Sequence, residues 1–249
     1  EINTGIICFD RKKLARRLGR VRPNNRKKEY YLTDVIGILV RDGEIVESVE
    51  TPAGMEALGV NSRVELAQAN EVMRQRINEK HMKNGVSIID SASTFISYDA
   101  RIGSDTVIYP FTVIEKNVKI GVRCSVGPFC RLRPGTRLKD DVTAGNFIEI
   151  SRSHLQKGAR AKHFGFIGDA RIGARANIGA GTVTANYDGA HKNISRIGEE
   201  AFIGSDTVLV APVAVGKGAR TGAGAVLVKK KVPAGKTFVG VPARQLKRK

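Results

Sequence analysis

The chain has 249 residues, 41% of them apolar, enough to bury a sizeable core, and a basic excess that gives a formal charge of +18. Its three cysteines, Cys8, Cys124 and Cys130, are too sparse for a disulfide framework. No apolar run reaches the roughly 18 residues of a membrane span and no secretory leader precedes the first segment, so a soluble cytoplasmic protein is expected. The basic residues are scattered, without an aromatic-interleaved RNA motif or a basic zipper, which disfavours nucleic acid and favours small phosphorylated ligands steered by a positive field.

In chain order, Ile2 to Phe9 reads as a strand, Lys12 to Leu18 as a short helix, Leu32 to Val40 as a helix and Ile45 to Val49 as a strand, a mixed α/β segment over residues 1–62. Glu1 runs straight into the first of these strands, so the segment is expected to be the later part of a larger domain. Residues 63–85 follow as one long connector: Leu66, Ala69, Val72, Met73, Arg76 and Ile77 lie near helical spacing, which predicts an amphipathic helix, and Asn84-Gly85 ends it.

From residue 86 to 249 the period changes. Ile96, Ile102, Ile108, Ile114, Ile120, Val126, Leu132, Leu138, Ala144 and Ile150 are spaced six apart without a slip, a run that chance would give about once in ten thousand trials at this apolar content. The register resumes at Ile197, Ile203, Leu209, Val215, Thr221 and Leu227. Such hexads predict a parallel β-helix, with three short strands per 18-residue coil and the marker residue pointing inward. No coil can bury its face alone, so stability comes from stacking. Gly103, Gly121, Gly127, Gly198, Gly204, Gly216 and Gly222 follow marker residues, where a corner can demand positive φ. The register slips between Ser153 and Phe166 and is interrupted by the polar stretch 185–193, which a tight solenoid must extrude as a loop, the usual place for a site.

Several motifs together resemble the bifunctional GlmU family, which pairs an N-acetylglucosamine-1-phosphate uridyltransferase with a glucosamine-1-phosphate N-acetyltransferase. They are Asn3-Thr4-Gly5-Ile6, Glu29-Tyr30-Tyr31-Leu32-Thr33-Asp34, Gly59-Val60-Asn61-Ser62-Arg63, Gly127-Pro128-Phe129-Cys130-Arg131-Leu132-Arg133-Pro134-Gly135, Gly145-Asn146-Phe147-Ile148-Glu149, Asn177-Ile178-Gly179-Ala180-Gly181-Thr182, Asn186-Tyr187-Asp188-Gly189-Ala190 and Gly204-Ser205-Asp206-Thr207. The resemblance runs nearly end to end. It implies a left-handed β-helix behind a partial nucleotidyltransferase domain, a homotrimer with sites between subunits, and acetyl transfer from acetyl-CoA to glucosamine 1-phosphate in UDP-N-acetylglucosamine biosynthesis.

By the same resemblance His163 is the general base, a role that suits imidazole near neutral pH. Arg133, Phe166, Asn177 and Lys192 map onto acceptor contacts, and Ala180, Asn186, Tyr187, Ser205 and Ala223 onto acetyl-CoA contacts. Asn3 and Asn61 map onto the sugar nucleotide, with Asn61 also at the family's Mg2+ site; a lone amide is a poor site for that hard cation. Three positions depart from the family. Ser151 followed by Arg152 stands where it has a sugar-binding Lys, Phe166 replaces a Tyr, and Gly240 replaces a CoA-contacting Arg; Arg152 and Arg244 compensate only if the backbone brings them in. These departures leave open a solenoid that serves another sugar acceptor or acts as a non-catalytic trimerisation or regulatory module. A γ-class carbonic anhydrase needs three converging histidines, and His154, His163 and His191 lack the pairing.

Overall fold

The computed structural model describes residues 5–50 and 59–246, which form two compact units divided at Val72 and Met73. In the first, α1 (Arg11–Leu18) starts at Asp10, whose side chain accepts a hydrogen bond from the Lys13 N–H at 2.9 Å. It packs with α2 (Asp34–Arg41) around Val21, Val35, Ile38 and Leu39. Asp42 receives both Arg20 and Arg17, which hold its carboxyl down at about 2. Both helices fall close to the sequence reading. Residues 1–4 of the first expected strand lie outside the described set, and the backbone over 6–9 and 45–49 is not in a strand among the described residues. A short extended segment is stable as a strand only within a larger sheet.

Helix α3 (Arg63–Lys83) opens on a capping box. The Glu65 carboxylate accepts the Asn61 and Ser62 N–H groups at 2.6 and 2.7 Å, and the Ser62 hydroxyl accepts the Glu65 N–H at 3.2 Å. The expected apolar stripe is not what the helix buries. Its buried residues are Asn78 and His81, while Leu66 and Met73 are exposed. In the second unit Asn78 donates to the Ser91 and Thr94 carbonyls, both at 3.1 Å, so a polar contact seats the helix on the first coil.

The rest is the parallel β-helix read from the repeat, left-handed as the family resemblance implies, with three parallel sheets wrapped around one core. Face A runs from Ser87–Ile88 to Thr237–Val239, face B from Phe95–Ile96 to Val226–Val228, and face C from Arg101–Ile102 to Lys231–Val232. Marker residues stack in register, Ile96 on Ile114 on Leu132 on Ile150, and all but Ile102 are buried. The slip after Ile150 is a shortened coil: Leu138 pairs with Leu155, then Leu155 with Ile172, two steps of 17 residues. The step from Ile172 to Ile197 is 25 residues, and the surplus forms the extruded loop. At the far end Arg244–Gln245 pairs antiparallel with Thr237–Val239 and covers the edge of face A.

The glycines serve a different purpose from the one expected. Of the seven that follow marker residues only Gly127 has positive φ. The left-handed residue comes two positions later, at Asp105, Arg123, Phe129, Glu200 and Asp206. What requires glycine is the approach of the next coil: a Cβ on Gly103 would lie 2.7 Å from the Gly121 carbonyl carbon, and one on Gly204 2.6 Å from that of Gly222.

Candidate acetyl-transfer site

Register places four of the candidate residues together. His163 lies two residues past the inward Ala161, Ala180 two past Ile178, Ser205 two past Ile203 and Ala223 two past Thr221, so all four share the corner between faces A and B on successive coils. Main-chain hydrogen bonds tie the column together: Gly181 N–H to the Phe164 carbonyl at 2.8 Å, Asp206 to Ala180 at 2.6 Å and Gly224 to Ser205 at 2.8 Å. His163 is exposed. On one side of it the corner carries a stack of phenylalanines, with the Phe111 and Phe129 centroids 4.7 Å apart and Phe129 and Phe147 4.8 Å apart. On the other side the same positions shrink to Gly181, Asp206 and Gly224. The imidazole therefore stands where a bulky ridge gives way to a shallow run of small residues about 14 Å long from His163 to Ala223, at the usual strand spacing.

The opposite corner of face B is charged. Arg133 pairs with Glu149 at 2.8 Å, and its Nε is buried without a partner. Ser151 sits on the next coil, in the position homologous to Arg133, and is buried. Its hydroxyl accepts from the Arg152 guanidinium at 2.9 Å, while the same guanidinium grips Asp169 with two bonds, at 2.7 and 2.8 Å. Asn186 donates to the same Asp169 Oδ2 that accepts from the Arg152 guanidinium. The Arg152 pair holds the Asp169 carboxyl below the ordinary carboxylate range, with Asn186 adding to the effect. Arg152 is thus brought to the corner where Ser151 has no charge. Phe166 lies between the two corners on face B, paired with Glu149 and Val183.

The loop is built around Asp188, whose carboxylate takes the Ala190 and His191 N–H groups at 3.0 and 2.7 Å and the Asn193 amide at 2.8 Å, bonds that hold it at about 2. Tyr187 bridges Lys192, and both are exposed. Asn177 is not with the others: it points off face A, beside Arg160 and Phe202. Within one chain, then, His163 joins Ala180, Ser205 and Ala223 on one corner, Arg133, Phe166 and Asn186 occupy face B and its far edge with Tyr187 on the loop, and Asn177 stands on another face. Arg244 pairs with Val239, next to Gly240. Asp169 and Asp188 escaped sequence reasoning; the Asp-Gly step at Asp188-Gly189 was the available signal for the second.

Asn3 lies outside the described residues. Asn61 is exposed at the α3 cap, and among the described residues no three His, Cys, Asp or Glu side chains converge as a metal site. One amide does not fit Mg2+, which takes an octahedron of oxygens. All three cysteines are free, with Cys124 and Cys130 buried and burial pushing the Cys130 thiol up to about 12. No helix among the described residues is long and apolar enough to cross a membrane.

Comparison with known proteins agrees with the repeat. Residues 99–134 match the bacterial transferase hexapeptide family (six repeats), and residues 195–229 match the hexapeptide repeat of succinyl-transferase. The chain is 45% identical over 260 residues to the bifunctional protein GlmU of Geobacillus sp. (strain WCH70), covering 91% of this chain and 57% of that protein. With the GlmU of Clostridium kluyveri it shares 39% over 282 residues, 100% of this chain and 61% of that one. The chain therefore spans about three-fifths of these relatives. Among solved structures it is similar to the UDP-N-acetylglucosamine O-acyltransferase LpxA of Moraxella catarrhalis (16% identity, 64% and 73% coverage, TM-score 0.48). It is also similar to the acetyltransferase domain of PglB from Neisseria gonorrhoeae in complex with acetyl coenzyme A (24% identity, 71% and 67% coverage, TM-score 0.34). Motifs scattered from the first unit to the last coil and extensive identity across both units have one source: the chain belongs to the GlmU family.

Proposed function

We propose that the chain transfers an acetyl group from acetyl-CoA to the amine of an amino-sugar phosphate, glucosamine 1-phosphate being the acceptor that the family relationship indicates. The observation that carries this is the corner between faces A and B, where His163 stands in one column with Ala180, Ser205 and Ala223. A slender acyl carrier lies along the small residues and brings its thioester to the imidazole. The amine nitrogen attacks the thioester carbon, the C–N bond forms as the C–S bond breaks, His163 takes the ammonium proton, and the proton passes to the departing thiolate. Arg133 and Lys192 supply charge for the acceptor phosphate, with Arg152 placed to replace the charge missing at Ser151. Because Asn177 stands on face A and the His163 corner lies across face B from the Arg133 edge, the complete site is assigned to a homotrimer in which neighbouring copies contribute both sets. Uridyl transfer is assigned to the intact protein, since Asn61 alone offers no metal site here.

The test is acceptor-dependent thiol release from acetyl-CoA with a product mass gain of about 42 Da, and a fall of roughly 10²–10⁴-fold in kcat for His163→Ala. Release that survives His163→Ala at the wild-type rate overturns the assignment. A second reading is favoured by one observation, the burial of Ser151 under Arg152: the acceptor pocket is reshaped, and an acceptor other than glucosamine 1-phosphate fits better. A panel of amino-sugar phosphates decides between them by kcat/KM.

A further inference from the structure

Face C carries a charge pattern that acetyl transfer does not use. Its outward residues, one per coil and paired in register, are Arg101, Lys119, Arg137, His154, Arg171, Arg196, Ala214 and Lys231. At strand spacing this file is about 34 Å long. None of the six Arg and Lys residues makes an ion pair among the described residues, whereas the neighbouring corner is neutralised: Asp141 by Arg123 and Lys157, and Glu199 by Arg175 and Lys217. Like charges directly opposite one another across a sheet repel, so the unliganded face works against its own stacking. Burial and the surrounding Arg171, Arg137 and Lys139 lower the His154 pKa, which is further evidence of that positive field.

What relieves the repulsion must bring negative charge, and the other two faces do not. Outward positions on face A include Ser125, Thr143, Arg160 and Arg220, with no acid in the column, and those on face B are mostly apolar, with Phe95, Val113, Phe166 and Val183 around a single acid, Glu149. Faces A and B of a second copy therefore offer face C no complementary line of charge. The file holds no aromatic ring on which a base could stack and no bulky apolar side chain to enter a lipid interface. A single line of cations matches a single line of anions. We infer that face C is a docking surface for an unbranched phosphate polyanion held by its charges alone, with inorganic polyphosphate as its simplest form.

The test measures polyphosphate binding to the full chain against salt, with duplex DNA and anionic phospholipid vesicles as parallel probes. Wild type is expected to bind polyphosphate with log K falling linearly in log salt. The variant Lys119→Gln/Arg137→Gln/Arg196→Gln is expected to weaken binding roughly tenfold or more and to flatten that slope by about 2. It should also melt at or above the wild-type temperature without ligand. Lys27→Gln/Lys28→Gln/Arg41→Gln, in the other unit, removes equal charge and should leave binding within about twofold. If the face C variant fails to fold, Arg137→Gln alone should flatten the slope by about 0.7. Equal loss in both triple variants, absence of polyphosphate binding at low salt, or tighter binding of DNA or vesicles through face C overturns the proposal.

Discussion

Asp169 is the residue on which the charged edge of the candidate site turns. Its two oxygens serve Arg152 and Asn186 at once, so it links the corner of face B to the base of the extruded loop. Asp169→Asn keeps the shape but turns one acceptor oxygen into a donor facing a guanidinium. Loss of charged hydrogen bonds of this kind costs about 2 kcal/mol, and both Arg152 and Asn186 are released. The expected outcome is a lower melting temperature and a raised KM for both acceptor and acetyl-CoA, with kcat reduced less than by His163→Ala. A change in KM for one substrate only would show that the acceptor edge and the loop are not linked through this carboxylate. Arg152→Lys, which cannot form the two-pronged pair, should reproduce part of the effect.

At the scale of the coil, the glycines separate crowding from handedness. Gly204 has no positive φ, but a Cβ there meets the backbone of the next coil; Gly218, at φ +60, has nothing within 4 Å. Gly204→Asn should therefore destabilise the solenoid by about 2–3 kcal/mol through overpacking. Gly218→Asn should cost under about 1 kcal/mol, because Asn tolerates the left-handed region. Chemical denaturation of the two variants checks the order, and equal costs would restore the handedness explanation. The hexad itself was plain in the sequence because Ile96 to Ile150 never slip, and His163, Ala180, Ser205 and Ala223 came from motif resemblance and fell on one column. The role of the glycines was misread because period alone does not reveal which corner residue bears the unusual φ. The amphipathic reading of α3 failed for a related reason: spacing marks a stripe, but the Asn78 amide nitrogen found two carbonyls to donate to, and of the stripe Ile77 packs against the core while Leu66 and Met73 stay exposed. Arg152, Asp169 and Asn186 lie 17 residues apart, and only the shortened coils bring them into line.

Across the whole molecule, pH acts through two histidines whose pKa values are lowered in the fold. His81 is buried on α3, and desolvation followed by the nearby Lys80 lowers its pKa. His154 is lowered by desolvation and then by Arg171, Arg137 and Lys139. In the unfolded chain both titrate near 6.5, so below that pH the unfolded state binds protons that the folded state resists, and stability must fall as pH drops from about 6.5. The lowered carboxylates act later. Asp42 and Asp188, held at about 2, contribute stability above their unfolded value of 3.8 and lose it only as pH falls from there toward 2. Melting temperature should therefore decline in two separate stages. In His81→Gln/His154→Gln the first decline, between pH 7 and 5, should flatten while the second remains. Because His154 lies within the cationic file, polyphosphate should reduce the first stage in wild type by stabilising its imidazolium and should leave the contribution of His81 untouched. Melts at pH 7.5, 6 and 5, with and without polyphosphate, separate the two: a first stage unaltered by the double substitution would place the titrating groups elsewhere in the molecule.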